Sequence, residues 1–389
     1  MTLNSDVAAL AVSDIRRFEE QTKAIPGILR LTLGEPDFAT PDLVKRAAIR
    51  AIEENYSHYS PMGGDHDLKK AAANYFALHD RVHYDPATEI IVTVGATEAI
   101  AVCLKTVLNT GSALLLPTPS YPGYDGVARL LGAPVICIDT AESGFKLTPE
   151  ALRRALIAHP ELAAIVLNYP NNPTGVTYCE EELRALIAVI REKKLYVISD
   201  EIYSALTFSG NHTSIAALYR ERTLLINGVS KSHAMTGWRI GFILAPAGIT
   251  QQLVKVHQFY VTGAATMAQR AAICALEACE GATAMMRTAY AARANYLVDA
   301  VTDLGFHAIR PQGGFYVFAE IPPAFQTEDA SDFCLRLAKH GKVALIPGTA
   351  FGAAYTHYVR FSFAASLEKL QEAVRRIRHF LEKEVKNNG

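Results

Sequence analysis

Ala163-Ala164-Ile165-Val166-Leu167 is followed by Leu183, Leu186, Ile187 and Ile190 at helical spacing, and then by Tyr196-Val197-Ile198-Ser199. The two flanking runs are almost wholly apolar, so neither face is marked for water, as in a strand covered on both sides. The middle segment carries its apolar residues on one stripe, as a helix lying on a sheet does. Thr177-x-x-Glu180 has the spacing of a capping box and predicts where that helix starts. A strand, a helix and a second buried strand form the unit that builds parallel sheets.

The same kind of apolar run recurs at Ile90–Val94, Ala113–Leu116, Pro134–Ile138, Thr223–Ile226 and Ile240–Leu244, several of them separated by helical segments. The expected fold is therefore α/β, with a mostly parallel seven-stranded sheet between helices. Upstream, Thr40-Pro41-Asp42 reads as a helix start, with a hydroxyl cap, proline in the first turn and an acid behind it. Downstream, a long helical stretch near 248–304 precedes a change of character. Phe306–Ile321, with Gly313-Gly314 inside it, reads as antiparallel strands. A helix at 331–340, a strand at Tyr358–Phe363 and a final helix at 366–384 follow. This is a smaller α+β domain. The first 30 residues, one helix and an arm, have no evident place in the large sheet and are expected to join it. The expected partition is residues 1–35 as arm and part of the small domain, 36–285 as large domain, and 286–389 as small domain.

A chain of 389 residues can bury a substantial core in two such units. Half the residues are hydrophobic, a fifth are charged and the net charge is −1. That balance gives no basic footprint for nucleic acid. No apolar run approaches the ~20 residues of a membrane span, and the N-terminus lacks the basic and apolar regions of a signal peptide. A cytoplasmic location is expected. Cys103, Cys137, Cys179, Cys274, Cys279 and Cys334 show neither C-x-x-C pairing nor zinc spacing, and are expected to be reduced residues of the core.

The chemistry concentrates in Gly228-Val229-Ser230-Lys231-Ser232-His233-Ala234-Met235-Thr236-Gly237-Trp238-Arg239-Ile240-Gly241. A lysine among small residues at the end of a buried strand can be desolvated, which lowers its pKa and makes the amine nucleophilic. Arg239 can return to the same pocket as an anion anchor. Asp200, in Ser199-Asp200-Glu201-Ile202-Tyr203, read alone, ends a strand or caps a helix. Asn171-Asn172-Pro173-Thr174-Gly175 alone is a turn. Gly95-Ala96-Thr97, between a strand and a helix, alone is one of many such turns, although helix N-termini suit phosphate. Arg360, inside the apolar run Tyr358–Ser362, is costly to bury without an anionic partner.

Taken together and in order, these segments resemble class I aminotransferases of the aspartate aminotransferase fold, over a span from about Leu31 to the C-terminal helix. They are most similar to the bacterial branch with aromatic and N-acetyl-diaminopimelate aminotransferases. The resemblance implies pyridoxal 5'-phosphate as cofactor. Lys231 would carry it covalently and move the proton at the substrate α-carbon. Asp200 would keep the ring nitrogen protonated; Asn172 and Tyr203 would hydrogen-bond the ring's phenolic oxygen; Tyr121 would stack on the ring. Gly95, Ala96, Thr97, Ser230 and Arg239 would hold the phosphate. Tyr59 would reach the phosphate of a neighbouring subunit, implying a homodimer with shared sites. Arg360 would anchor the substrate α-carboxylate, with Asn172 beside it, and Gly34 would mark the loop that closes over the substrate.

Two departures stand out. Gly228 replaces a phosphate-binding serine found in many relatives. Neither Thr97 nor the Thr262–Ala265 segment supplies the second cation of aspartate-preferring relatives. The expected reaction is therefore transfer of an amino group to a 2-oxo acid such as 2-oxoglutarate, from an aromatic or N-acyl-diaminopimelate donor. A carbon–sulfur β-lyase would use the same lysine but needs a leaving group at the β-carbon. A cofactor-binding regulator would need a DNA-binding domain, for which the first 30 residues leave no room.

Overall fold

The computed structural model describes residues 4–8, 10–327 and 329–388. Its strands, in chain order, are β1 (Leu29–Arg30), β2 (Ile90–Val94), β3 (Ala113–Thr118), β4 (Val135–Asp139), β5 (Leu162–Asn168), β6 (Tyr196–Asp200), β7 (Thr223–Gly228), β8 (Ile240–Leu244), β9 (His307–Ala308), β10 (Tyr316–Glu320), β11 (Val343–Ala344), β12 (Ile346–Pro347) and β13 (Tyr358–Ser362). Each of the seven expected apolar runs lies in one strand of a seven-stranded sheet ordered β2-β8-β7-β6-β5-β3-β4. Pairing is parallel except around β8, which runs antiparallel to β2 and β7. Helices cover both faces, and β6, β7 and β8 are buried almost throughout. The half-exposed alternation of β4 marks it as the edge.

This topology decides where the chemistry gathers. β2, β3, β5, β6 and β7 share one direction, so their C-terminal ends, at Val94, Thr118, Asn168, Asp200 and Gly228, meet at one edge of the sheet. Open α/β sheets bind ligands in the crevice outside that edge. Because β8 is antiparallel, its N-terminal end lies at the same edge and brings Arg239 there.

β9, β10, β12 and β13 form a second, antiparallel sheet ordered β12-β13-β10-β9. Arg360 of β13 sits opposite Phe318 and Ile346 in its middle. The N-terminal segment packs on this unit: β1 pairs in parallel with β11, and Phe18 and Leu31 are buried in the same core as Phe315 and Phe361. Among the described residues, no helix is long and apolar enough to cross a membrane.

Several local expectations are corrected. The helix expected from Thr177 spans Glu180–Lys193, and its capping box joins Cys179 to Glu182, whose carboxylate accepts from Cys179 N at 2.8 Å. The expected spacing is met two residues late, with a thiol at the cap position. Thr40 does not cap the helix Asp42–Glu53; its hydroxyl donates to Ala234 O at 2.6 Å, tying that helix start to the segment after Lys231. The 248–304 stretch is three helices, Ala247–Val261, Thr266–Ala278 and Glu280–Thr302. The helix at 331–340 is Ala330–Arg336, continued by a wider turn over Leu337–Gly341. Residues 5–22 hold two helices, Ser5–Ala8 and Asp14–Thr22, where one was expected. Of the cysteines, Cys103, Cys279 and Cys334 are buried, Cys274 is half-buried, and Cys137 and Cys179 are exposed; all are free thiols.

Candidate active site

β7 ends at Gly228 in fully extended backbone, opposite Gly241. A Cβ at Gly228 would lie 2.8 Å from Ile240 O and 3.2 Å from Ile202 Cδ1, so serine does not fit there. The hydroxyl lost at this position is thus a consequence of close strand packing. One helical turn, Val229–Ser232, follows. Val229, Ser230 and Ser232 are buried, while Lys231 borders a cleft of about 1130 Å³. The turn is fixed from behind by Thr283, whose hydroxyl donates to Ser232 O at 2.7 Å. Lys231 Nζ donates to Gly34 O at 2.6 Å. Burial of the lysine pushes its ammonium down to about 8, with the Glu35 carboxylate opposing. A substantial fraction is therefore neutral near pH 8, as a nucleophile or base requires.

Asp200 closes β6 on the floor of the same cleft and is 3% exposed. Its Oδ2 accepts from the Tyr124 hydroxyl at 2.7 Å and its Oδ1 from Ile202 N at 3.2 Å. Burial pushes the carboxyl up to about 6, although the Tyr124 bond opposes the shift. A carboxylate so placed gains from a cation opposite it. Its neighbour Glu201 points the other way into the core, where Ser199, Tyr169 and Ser214 hydroxyls reach Oε1 at 2.7, 3.1 and 3.0 Å and His212 Nε2 meets Oε2 at 2.7 Å. That network pins the strand end on which Asp200 sits.

Asn172 and Tyr203 flank this floor. The Tyr203 hydroxyl lies 3.2 Å from that of Tyr316, and burial holds its phenol well above the usual range. Asn172 N donates to Asn168 Oδ1 at 2.9 Å, which fixes the backbone of the turn, and its side-chain Oδ1 accepts from Arg360 Nη1.

Gly95, Ala96 and Thr97 begin the helix Gly95–Val107. Its first N–H groups have no partner within the helix and carry the positive end of its dipole. Arg239 reaches the same place from the start of β8, with Nη1 donating to Thr236 O at 2.9 Å. Any side chain at Gly95, which has φ +72°, would overlap the Arg239 guanidinium. Helix terminus and guanidinium together form an anion cradle, and Ala96, Thr97, Ser230 and Arg239 all border the cleft.

Arg360 is 2% exposed. Nη2 donates to Thr32 O at 2.7 Å and Nη1 to Asn172 Oδ1 at 3.0 Å, while Nε has no partner among the described residues. The guanidinium lies 4.3 Å from the Tyr316 ring centroid and 4.9 Å from that of Phe351. Burial lowers its pKa below the usual arginine value, with Tyr316 opposing. A buried cation held by neutral groups, with Nε unpaired among the described residues, is set for an incoming carboxylate. Gly34 lies beside it: a Cβ there would be 3.1 Å from the Tyr316 hydroxyl.

Tyr121 borders the cleft edge-on to Tyr124, with ring centroids 5.5 Å apart. Twelve of the thirteen expected site residues are thus gathered around one cleft or, for Gly95, directly at its cradle. Tyr59 is not among them; it is 90% exposed and stands away from the cleft of its own chain. Tyr124 and Tyr316 were not foreseen. Tyr124 lies three residues after Tyr121, but its partner Asp200 is remote in sequence.

These features fit pyridoxal phosphate: an anion cradle, a buried carboxylate that favours a cation, a desolvated lysine and an unsatisfied guanidinium, all on one cleft. Known proteins agree. The family described as aminotransferase class I and II matches residues 26–377. The chain is 40% identical over 379 residues to a probable N-acetyl-LL-diaminopimelate aminotransferase of Bacillus subtilis, covering 97% of this chain and 95% of that one. It is 34% identical to aromatic-amino-acid aminotransferase 2 of Thermococcus litoralis, with 98% of each covered. The solved aspartate aminotransferase of Thermus thermophilus with maleate superposes with a TM-score of 0.92 at 35% identity, over 98% of this chain and 100% of that one. The chain belongs to the class I and II aminotransferases and is a pyridoxal-phosphate-dependent enzyme.

Proposed function

We propose that this aminotransferase takes its amino group from an aromatic or N-acyl-diaminopimelate type donor and passes it to 2-oxoglutarate. The observation that carries the donor class is the cleft wall. Ile15, Leu33, Tyr121, Tyr316 and Phe351 line the cleft that Arg360 borders, the last two against its guanidinium, whereas Thr97 and the Thr262–Ala265 segment offer no cation. An apolar side chain gains by desolvation there, while a short second carboxylate would be left unpaired. The names of the Bacillus and Thermococcus relatives support the same class.

The roles follow from the residues. Arg360 and Asn172 bind the substrate α-carboxylate, which fixes the α-carbon near Lys231. Gly34, having no side chain, lets the substrate pass under Tyr316. When bound, pyridoxal phosphate supplies the electron sink that lets the α C–H bond ionise. Lys231 would take the proton from the donor's α-carbon in the first half-reaction and deliver one to the α-carbon of the new amino acid in the second, its depressed pKa matching that task. Asp200, held by Tyr124, would favour a positive charge opposite it, and Gly95, Ala96, Thr97, Ser230 and Arg239 would hold the phosphate. A panel of donors with 2-oxoglutarate, read as kcat/KM, tests the assignment. Phenylalanine or an N-acylated diaminopimelate should exceed aspartate by about tenfold or more, since an unpaired buried charge costs several kcal/mol. Aspartate as the best of the three overturns the donor class and leaves the lysine chemistry standing.

Tyr59 we assign to a second subunit's phosphate, in a homodimer. Its segment lies against the start of the helix Thr266–Ala278, where the Thr266 hydroxyl donates to His58 O at 2.7 Å, and Phe259 nearby in sequence is 83% exposed. Tyr59→Phe chains mixed with Lys231→Ala chains should regain one unimpaired site per heterodimer. Lys231→Ala mixed with Arg360→Ala should regain none. A fully active monomer in sedimentation contradicts the assignment.

A further inference from the structure

We propose that Arg16 receives the far carboxylate of a dicarboxylic substrate, serving the glutamate and 2-oxoglutarate side of the reaction. The proposal rests on the aminotransferase reading and names the residue its acceptor side requires. Donor and acceptor enter one pocket in turn. Arg360 can take the α-carboxylate that both carry, but 2-oxoglutarate brings a second charge that an apolar donor lacks.

The cations bordering the cleft are few. Lys231, Arg239 and Arg360 have the partners described above. Arg129 is held through Nε by both oxygens of Asp125, at 2.9 and 2.7 Å. Arg16 differs. It stands on the helix Asp14–Thr22 and borders the cleft together with Glu19, one turn further on. The two share one contact, Nη1 to Oε2 at 3.2 Å, and the Arg16 side chain is 77% exposed. Exposed pairs at this spacing are weak, so Glu19 can be exchanged for a ligand carboxylate. Arginine offers the planar fork that a carboxylate fits.

Its position suits the task. Burial raises the Tyr121 phenol, and the Arg16 charge is among the groups that oppose it. Burial lowers the Arg360 guanidinium, and the Glu19 charge is among those that oppose it. The Arg16–Glu19 pair therefore lies within electrostatic reach of both walls of the space that a substrate side chain fills once its α-carboxylate is on Arg360. An apolar donor leaves Arg16 on Glu19. A carboxylate at the end of a long side chain takes Glu19's place. A rim position favours glutamate-length or longer acids over aspartate, in keeping with the absence of a cation at Thr97.

Calorimetry with the cofactor-loaded enzyme separates these cases, using glutarate and valerate, which share a carboxylate but carry no reactive group. Arg16→Gln should weaken glutarate binding by at least about tenfold while changing valerate by no more than about twofold. Arg16→Lys, which keeps the charge, should recover part of the loss. In turnover, Arg16→Gln should raise KM for 2-oxoglutarate and leave kcat and KM for phenylalanine near wild type. Unchanged glutarate affinity in Arg16→Gln, or equal losses for glutarate and valerate, overturns the proposal. If no amino acid is transaminated by the wild type, the aminotransferase reading fails instead, and the calorimetry still reports on Arg16.

Discussion

Lys231→Ala should lower turnover by about 10⁴-fold or more, because it removes both the covalent anchor and the base that works at the α-carbon. Borohydride reduction of the wild type should abolish its visible absorption and leave a cofactor adduct that mass spectrometry places on Lys231. An adduct on another lysine, or wild-type turnover in the variant, sinks the assignment. The depressed pKa adds a test that needs no substrate. Burial disfavours the charged form, so the neutral amine should appear as pH rises through about 8 in the cofactor-free protein. An ordinary lysine does so near ~10.4. Acylation of Lys231 in that form should rise around pH 8, well before the surface lysines respond. Asp200→Asn should act on the same step from the other side of the cleft, with Tyr124 then donating to an amide that carries no charge.

The large sheet could be read from sequence because its strands are buried on both faces. A run such as Leu224–Ile226 has to be apolar at every position, and no loop places the same demand on so short a segment. Helix starts were less legible. Thr40 carries the right group for a cap but spends its hydroxyl on Ala234 O, a contact made with residues far along the chain. Cys179, a poor cap by residue type, takes the position because Glu182 can reach back to its N–H. The site divides in the same way. Arg360 announces itself as a charge inside an apolar run and Lys231 as a lysine at the end of one, whereas Asp200, which read alone only ends a strand, is singled out by the resemblance. Tyr124, Tyr316 and Arg16 carry no such mark, since a tyrosine in a turn and an arginine on a polar helix are ordinary until the fold brings Asp200, Tyr203 or Tyr121 near them. Gly228 was legible as a departure, but its reason, the approach of Ile240 O, belongs to the pairing of β7 with β8.

Arg360→Ala should cost every amino acid donor about 10²–10³-fold in kcat/KM, since each carries an α-carboxylate and a buried charge pair loses several kcal/mol when one partner is removed. Arg360→Lys should fail to restore it. The guanidinium is held at two points, Nη2 to Thr32 O and Nη1 to Asn172 Oδ1, while the buried Nε has no partner among the described residues. An ammonium is a point charge without that planar fork. If it stays with Thr32 O, it leaves the carboxylate; if it turns to the carboxylate, Asn172 Oδ1 and Thr32 O lose their donor inside the core. Loss of fold is separated from loss of recognition by comparing phenylalanine with phenethylamine, which lacks the carboxylate. Wild type should use phenethylamine poorly, and the variants should lower that residual rate little further. A variant that lowers both donors by the same factor would show that Arg360 holds β13 in place, with no part in substrate recognition.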